Sequence, residues 1–221
     1  MRTALLLLLA LALVAPAGAQ AAPTLGVVVD LESVRYGRAH ELTGTLIDGA
    51  VPLGAQEVVL EGRRYPFEGS YRVIARTTTG ADGKFSFKPE LDRNHRLRVS
   101  APAQRIASKV VRAYVVPSFE LSFRALRPGF VRLTQRYSVP KTVRLTAPTL
   151  FYLGPRGAKR ASKRVVAELE RTGPGRYRSV STVELPTAWH GAFRYASCFR
   201  ASHGTGMGDP AQSCPRLRLA F

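Results

Sequence analysis

Short runs of alternating apolar and polar residues, cut apart by Gly, Pro and Asp, recur along this chain and decide the class of fold open to it. Leu42, Gly44 and Leu46 alternate with Thr43 and Thr45, and Phe85 and Phe87 with Ser86 and Lys88. Leu97 and Val99 alternate with Arg96 and Arg98, and Phe119, Leu121 and Phe123 with Glu120, Ser122 and Arg124. A period of two sends each apolar set to one face of a strand. Repeated short strands rich in Val, Thr, Tyr and Phe predict an all-β chain of the sandwich type. One segment, 161–171, reads two ways. Ala161, Val165 and Leu169 are spaced for one face of a helix, whereas Val165, Ala167 and Leu169 would line one face of a strand. The turn residues Gly173-Pro174-Gly175, followed by the β-like run Arg176 to Val180, favour the strand and a hairpin.

The run Ser108 to Val116 reads as a closing strand, and Pro117 has no amide proton to extend a ladder. A break at Val116-Pro117-Ser118 therefore divides the chain into two β-sandwich-like domains in tandem, 22–117 and 118–221. Ahead of them, Arg2 and an apolar run from Ala4 to Val14 precede the small-residue sites Ala17-Gly18-Ala19 and Ala19-Gln20-Ala21. That order is expected of a signal peptide over 1–21, cleaved near 19–21. The apolar run is too short for a membrane span, which takes about 20 residues. No later run is longer, so no transmembrane segment is expected in the mature chain. A secreted or envelope-associated location follows. In such a compartment the two cysteines, Cys198 and Cys214, are expected to form a disulfide that contributes about 3 kcal/mol.

The first of these domains carries Val34-Arg35-Tyr36-Gly37, Leu42-Thr43-Gly44-Thr45-Leu46 and Val58-Val59-Leu60. It continues with Thr77-Thr78-Thr79-Gly80-Ala81-Asp82-Gly83-Lys84-Phe85-Ser86-Phe87 and Arg96-Leu97-Arg98-Val99. Over 24–117 the sequence resembles a bacterial immunoglobulin-like or transthyretin-like (carboxypeptidase regulatory-like) β-sandwich module. The resemblance implies a stalk, spacer or adhesive unit. In physical terms, Asp82-Gly83 provides a positive-φ turn, and Phe85 and Phe87 then enter the core. Gly44 inside a strand marks a bulge or a close backbone approach.

Chemistry is sparse. The four histidines, 40, 95, 190 and 203, form no zinc-type spacing, and His40 and His95 read as solvated. No Gly-x-Ser-x-Gly elbow accompanies His190 or His203, so no enzyme activity, cofactor or metal is expected. The glycine-punctuated stretch Ser202 to Pro210 reads either as a flexible loop or as a ligand-contact loop.

Charge is the remaining signal. There are 33 Lys+Arg against 15 Asp+Glu, a net +18, and residues 118–221 hold +13 of it while 22–117 hold +4. Candidate ligand-binding residues are Arg144, Lys159, Arg160, Lys163, Arg164, Arg176, Arg178, Arg194, Arg216 and Arg218. Arg124 and Arg132 also fall on the polar phase of strands. Outward guanidinium forks suit phosphate, sulfate and carboxylate. Outside the cytoplasm these groups belong to an anionic cell-wall polymer, an acidic polysaccharide, an anionic lipid surface or extracellular DNA. The alternatives are a spacer with no specific ligand and a secreted hydrolase. Arginines on so many strands argue against an outer-membrane barrel, whose lipid-facing side is apolar.

Overall fold

The structure of the chain, a computed structural model, describes residues 22–29, 34–157, 161–189, 193–198, 204–208 and 216–219. The expected signal peptide lies outside these residues, as do Lys159, Arg160, His190, His203 and Cys214. Every described element is a strand apart from one 3-10 turn at Thr187–Trp189. No described helix is long and apolar enough to cross a membrane.

Residues before Pro117 form two main sheets. In the first, β3 (Leu42–Asp48) lies between β1 (Pro23–Val29) and the short β4 (Val51–Pro52), and also pairs with β7 (Lys84–Phe87). The second has the order β10-β8-β5-β6, from β10 (Val111–Ala113), β8 (His95–Ala101), β5 (Glu57–Arg64) and β6 (Arg72–Thr78). The alternating residues meet between these sheets: Leu42, Leu46, Phe85, Phe87, Leu97 and Val99 are buried in one apolar cluster. Phe85 and Phe87 pack edge to face, with ring centroids 5.8 Å apart. Gly44 is a close approach, since a Cβ there would lie 2.3 Å from the Phe85 ring and 2.5 Å from the Gly26 carbonyl oxygen. Gly83 takes φ +72, and Asp82 Oδ1 accepts from the Lys84 amide at 3.1 Å. This turn carries the chain from one sheet to the other, because β6 and β7 belong to different sheets.

The closing strand expected over 108–116 is broken into β10 and β11 (Val115–Val116), with the short β9 (Ile106–Ala107) just ahead of it. Ser108 is a physical cause. Its hydroxyl accepts from the Val99 amide and donates to the Lys109 carbonyl, replacing ladder geometry with a side-chain bond. Beyond it β11 leaves the sheet and pairs in parallel with β2 (Val34–Arg35).

Residues after Pro117 form two four-stranded sheets. One has the order β12-β13-β17-β16, from β12 (Ser118–Arg127), β13 (Phe130–Ser138), β17 (Arg176–Glu184) and β16 (Glu170–Gly173). The other has the order β15-β14-β18-β19, from β15 (Lys163–Ala167), β14 (Thr149–Pro155), β18 (Phe193–Cys198) and β19 (Arg216–Leu219). The ambiguous segment is strand throughout its regular part. It crosses between the sheets at Glu168-Leu169, and Gly175 at φ +66 closes the β16–β17 hairpin. Val131, Leu133, Phe151, Leu153 and Trp189 form the core cluster here.

The first cluster does not stop at Pro117. It also takes in Tyr137, Val139, Val143, Leu145, Tyr177 and Met207. Met207 comes from the glycine-punctuated stretch, of which 205–208 are buried, so this part is neither a free loop nor an open ligand loop. Its anchor is Asn94, the only asparagine in the chain. The Asn94 amide donates to the Gly206 carbonyl at 2.7 Å and its Nδ2 to the Gly208 carbonyl at 2.8 Å. Its Oδ1 accepts from the Val115 amide at 2.8 Å, and the Gly208 amide donates to the Val115 carbonyl at 2.7 Å. Gly206 has φ +67, and a Cβ there would lie 2.6 Å from the Tyr65 ring. Only glycine fits that combination of conformation and contact.

Candidate functional site: a basic sheet face

Alternation along β13 sorts its residues cleanly. Val131, Leu133, Gln135 and Tyr137 are buried, while Arg132, Arg136 and Ser138 are exposed and Thr134 is half-buried. The strands on either side set four more charged groups beside them, and one of the four is acidic, because Glu120 on β12 stands directly opposite Arg136. Arg124 on β12 stands directly opposite Arg132, and Arg178 on β17 directly opposite Arg136. Arg176 stands opposite Ser138 on the same face. Opposite residues in an antiparallel pair have Cα atoms about 4.5–5.5 Å apart, so the five arginines form one patch. Directly opposed like charges disfavour the folded sheet. Arg178 is relieved by Glu170, with Nη2 to Oε2 at 2.8 Å. Arg124, Arg132, Arg136 and Arg176 form no ion pair among the described residues.

Two shallow depressions meet on this face. One of about 630 Å³ is lined by Arg132, Thr134, Arg136 and Arg178, with Glu168 and Glu170 at its β16 side. The other, about 440 Å³, lies between Arg136, Arg176, Arg178, Phe119 and the acidic Glu120. Both are open, with polar and apolar lining in about equal measure, which suits a group held at the surface by guanidinium forks rather than an enclosed apolar ligand.

Beneath the arginines a buried polar network ties the two sheets together. Ser197 Oγ on β18 donates to Gln135 Oε1 on β13 at 2.5 Å. Thr149 Oγ1 lies 3.1 Å from the Tyr137 hydroxyl and 2.7 Å from Ser179 Oγ. The Tyr177 hydroxyl donates to the Val143 carbonyl and accepts from the Leu145 amide. Burial pushes the Tyr137 phenol up to about 12, so it stays protonated at any physiological pH. The network pairs hydroxyls and an amide with one another across the two sheets and so buttresses the face from beneath. Among the described residues no group of three His, Cys, Asp or Glu is placed to hold a metal.

The residues singled out from sequence disperse. Arg176 and Arg178 lie on this face. Arg144 is exposed on the stretch between β13 and β14, flanked by the buried Val143 and Leu145. Lys163 is half-buried, its Nζ donating to the Glu184 carbonyl at 2.8 Å, and Arg164 is exposed on the other sheet. Arg194 is on β18, and Arg216 and Arg218 are on β19, with side chains outside the described residues. The Cys198–Cys214 pairing also lies outside them. Arg136 is the member that sequence reading passed over. The unbroken alternation from Val131 to Ser138 carried the signal, obscured by Gln135 in the apolar phase. Of the histidines read as solvated, His40 is half-buried, with Nε2 accepting from the Arg35 amide at 3.0 Å. His95 is buried at the start of β8.

No family model matches the chain, and no curated protein matches it. Among solved structures it is similar to a point mutant of Salmonella alpha-2-macroglobulin, at 14% identity and a TM-score of 0.36, covering 90% of this chain and 14% of that one. It is also similar to the native conformation of E. coli alpha-2-macroglobulin, at 13% identity and a TM-score of 0.34, covering 91% of this chain and 14% of that one. Salmonella alpha-2-macroglobulin reacted with methylamine gives 15% identity and a TM-score of 0.36, covering 91% and 15%. The chain thus spans about one seventh of the length of these proteins.

Proposed function

We propose that this is an exported, non-enzymatic protein of the cell envelope or extracellular space, built of two tandem β-sandwiches. The first, 22–117, is an immunoglobulin-like or transthyretin-like module. The second binds an anionic polymer through its basic face. The supporting observation is the patch of Arg124, Arg132, Arg136, Arg176 and Arg178 on one sheet face, in which one guanidinium of the five is neutralised by a carboxylate. Surplus like charge persists against its own repulsion where an anionic partner relieves it. The partner class is a polymer of repeating phosphate, sulfate or carboxylate groups, because the patch is several strands wide and open.

Retention of the full chain on purified cell wall at about 0.05 M and about 1 M salt tests this, since screening shortens the reach of charge from roughly 14 Å to roughly 3 Å. Retention is expected at low salt and not at high salt, and the R132Q/R136Q double variant is expected to lose most of it. Equal retention at both salts, or an unaffected double variant, would sink the reading. A second reading is a rigid spacer. It is supported by the docking of 204–208 onto Asn94 and Val115, which leaves little room for the two parts to hinge.

A further inference from the structure

Counted by halves, the charge directs attention away from 22–117. The outer face of the sheet β10-β8-β5-β6 shows why that is misleading. Arg112 on β10 is directly opposite Arg96 on β8, and Arg96 is directly opposite Arg63 on β5. Three arginines therefore stand abreast across three adjacent strands, within about 10 Å from first to last. Arg98, one pleat along on the same face, is neutralised by Glu61, with Nε to Oε2 at 2.9 Å. Arg63, Arg96 and Arg112 form no ion pair among the described residues.

Two of the three are held in place by rings. The Arg63 guanidinium lies 4.6 Å from the Tyr71 ring centroid, and Arg98 shares that ring at 4.3 Å. Arg96 lies 4.8 Å from the Phe67 centroid. Phe67 is fixed by an edge-to-face contact with Tyr65 at 5.5 Å. Arg63 Nε is buried with no hydrogen-bond partner, so the ring contact rather than an acceptor orients that group. Ring stacking restrains a guanidinium while leaving its outer N–H groups unused, which lowers the entropy cost of taking up an anion.

We infer that the Arg63–Arg96–Arg112 row is a binding site for a phosphate monoester group, separate from the basic face of 118–221. A carboxylate has two oxygens and is filled by one fork. A phosphate monoester offers three outer oxygens and up to two negative charges, matching three unpaired forks side by side. The aromatic loop at one end and the neutralised Arg98–Glu61 pair beside the row confine the site to one such group.

Calorimetric titration of the full chain with inorganic phosphate, and with acetate at matched ionic strength, reads the site directly. Phosphate is expected to bind at least ~10-fold more tightly than acetate. R96Q is expected to weaken phosphate binding by ~10-fold or more, and R96K, which keeps the charge but loses the fork, by ~3-fold. R132Q/R136Q is expected to leave the tighter phosphate-binding event unchanged, because the polymer face holds a lone phosphate only weakly and gains its hold from many groups at once, which separates the two sites. Equal affinities for phosphate and acetate would overturn the inference, as would an R96Q affinity matching the unmodified chain. Should R96Q not fold, R63Q and R112Q take its place with the same expected loss. Phosphate affinity lost in R132Q/R136Q and kept in R96Q would overturn this site while leaving the first reading standing.

Discussion

At the scale of single residues, the buried pair Asn94-His95 at the start of β8 shows how neighbours with similar burial do different work. Asn94 is spent entirely on backbone partners, with its side-chain oxygen and nitrogen each satisfied. His95 has one clear partner, the Arg93 carbonyl, to which a neutral ring donates through Nδ1 at 2.7 Å. Burial, the largest influence, lowers the His95 pKa below its ordinary value, against the opposing pull of the Arg93 bond and Asp92 and with a small push from Arg64. The unfolded chain takes up a proton near pH 6.5, while the folded chain resists it. Stability is therefore unaffected by this group above about pH 6.5 and falls as pH drops below it. Urea unfolding between pH 7.5 and 5 is expected to show that decline, and H95Q to flatten it. A His95→Gln variant as acid-sensitive as the parent would assign the loss to other groups.

At the scale of strands and sheets, opposed arginines are a cost that the fold carries. Arg132 faces Arg124 directly on one side and Thr182 on the other, and neither arginine forms an ion pair among the described residues. Arg132→Thr is expected to raise stability by about 0.5 kcal/mol at low salt, a gain that shrinks as salt rises. Thermal unfolding at two ionic strengths measures this, and a loss of stability at both would show that Arg132 is structural. Strand identity was legible from alternation alone, as Phe85 with Phe87 and Leu97 with Val99 show. So was the tight approach at Gly44, since a glycine amid β-branched residues needs a reason. Pairing was not legible. Nothing local in the sequence says that Arg63, Arg96 and Arg112 will line up, because register is set by strands that meet across long separations. Summing charge over each half hid the row, whose surplus is offset by acids elsewhere in 22–117.

At the scale of the whole molecule, the cluster that fills the first pair of sheets includes Met207, 2% exposed, along with Val139, Val143 and Leu145. A lone methionine among glycines has no periodicity, so its burial could not be read from the sequence. Met207→Ala is expected to cost about 2–5 kcal/mol, since it opens a cavity in the buried core cluster. The cost should appear in 22–117 as well as locally. Amide exchange is expected to accelerate in β8 and β5, and unfolding to remain a single transition by all probes. Faster exchange confined to 204–208 would mean that the segment is an independent patch.

The Asn94–Gly208 bond has a consequence for the order in which this protein is made. Its two ends are 114 residues apart. At roughly 5–20 residues per second on the ribosome, Asn94 waits roughly 6–23 s for its partner to be synthesised. During that interval the Asn94 side chain and the amide and carbonyl of Val115 have none of these bonds, and the space filled by Met207 is empty. The part of the chain made first is finished by a segment made long after it, so tight packing of 22–117 is deferred until 205–208 have emerged.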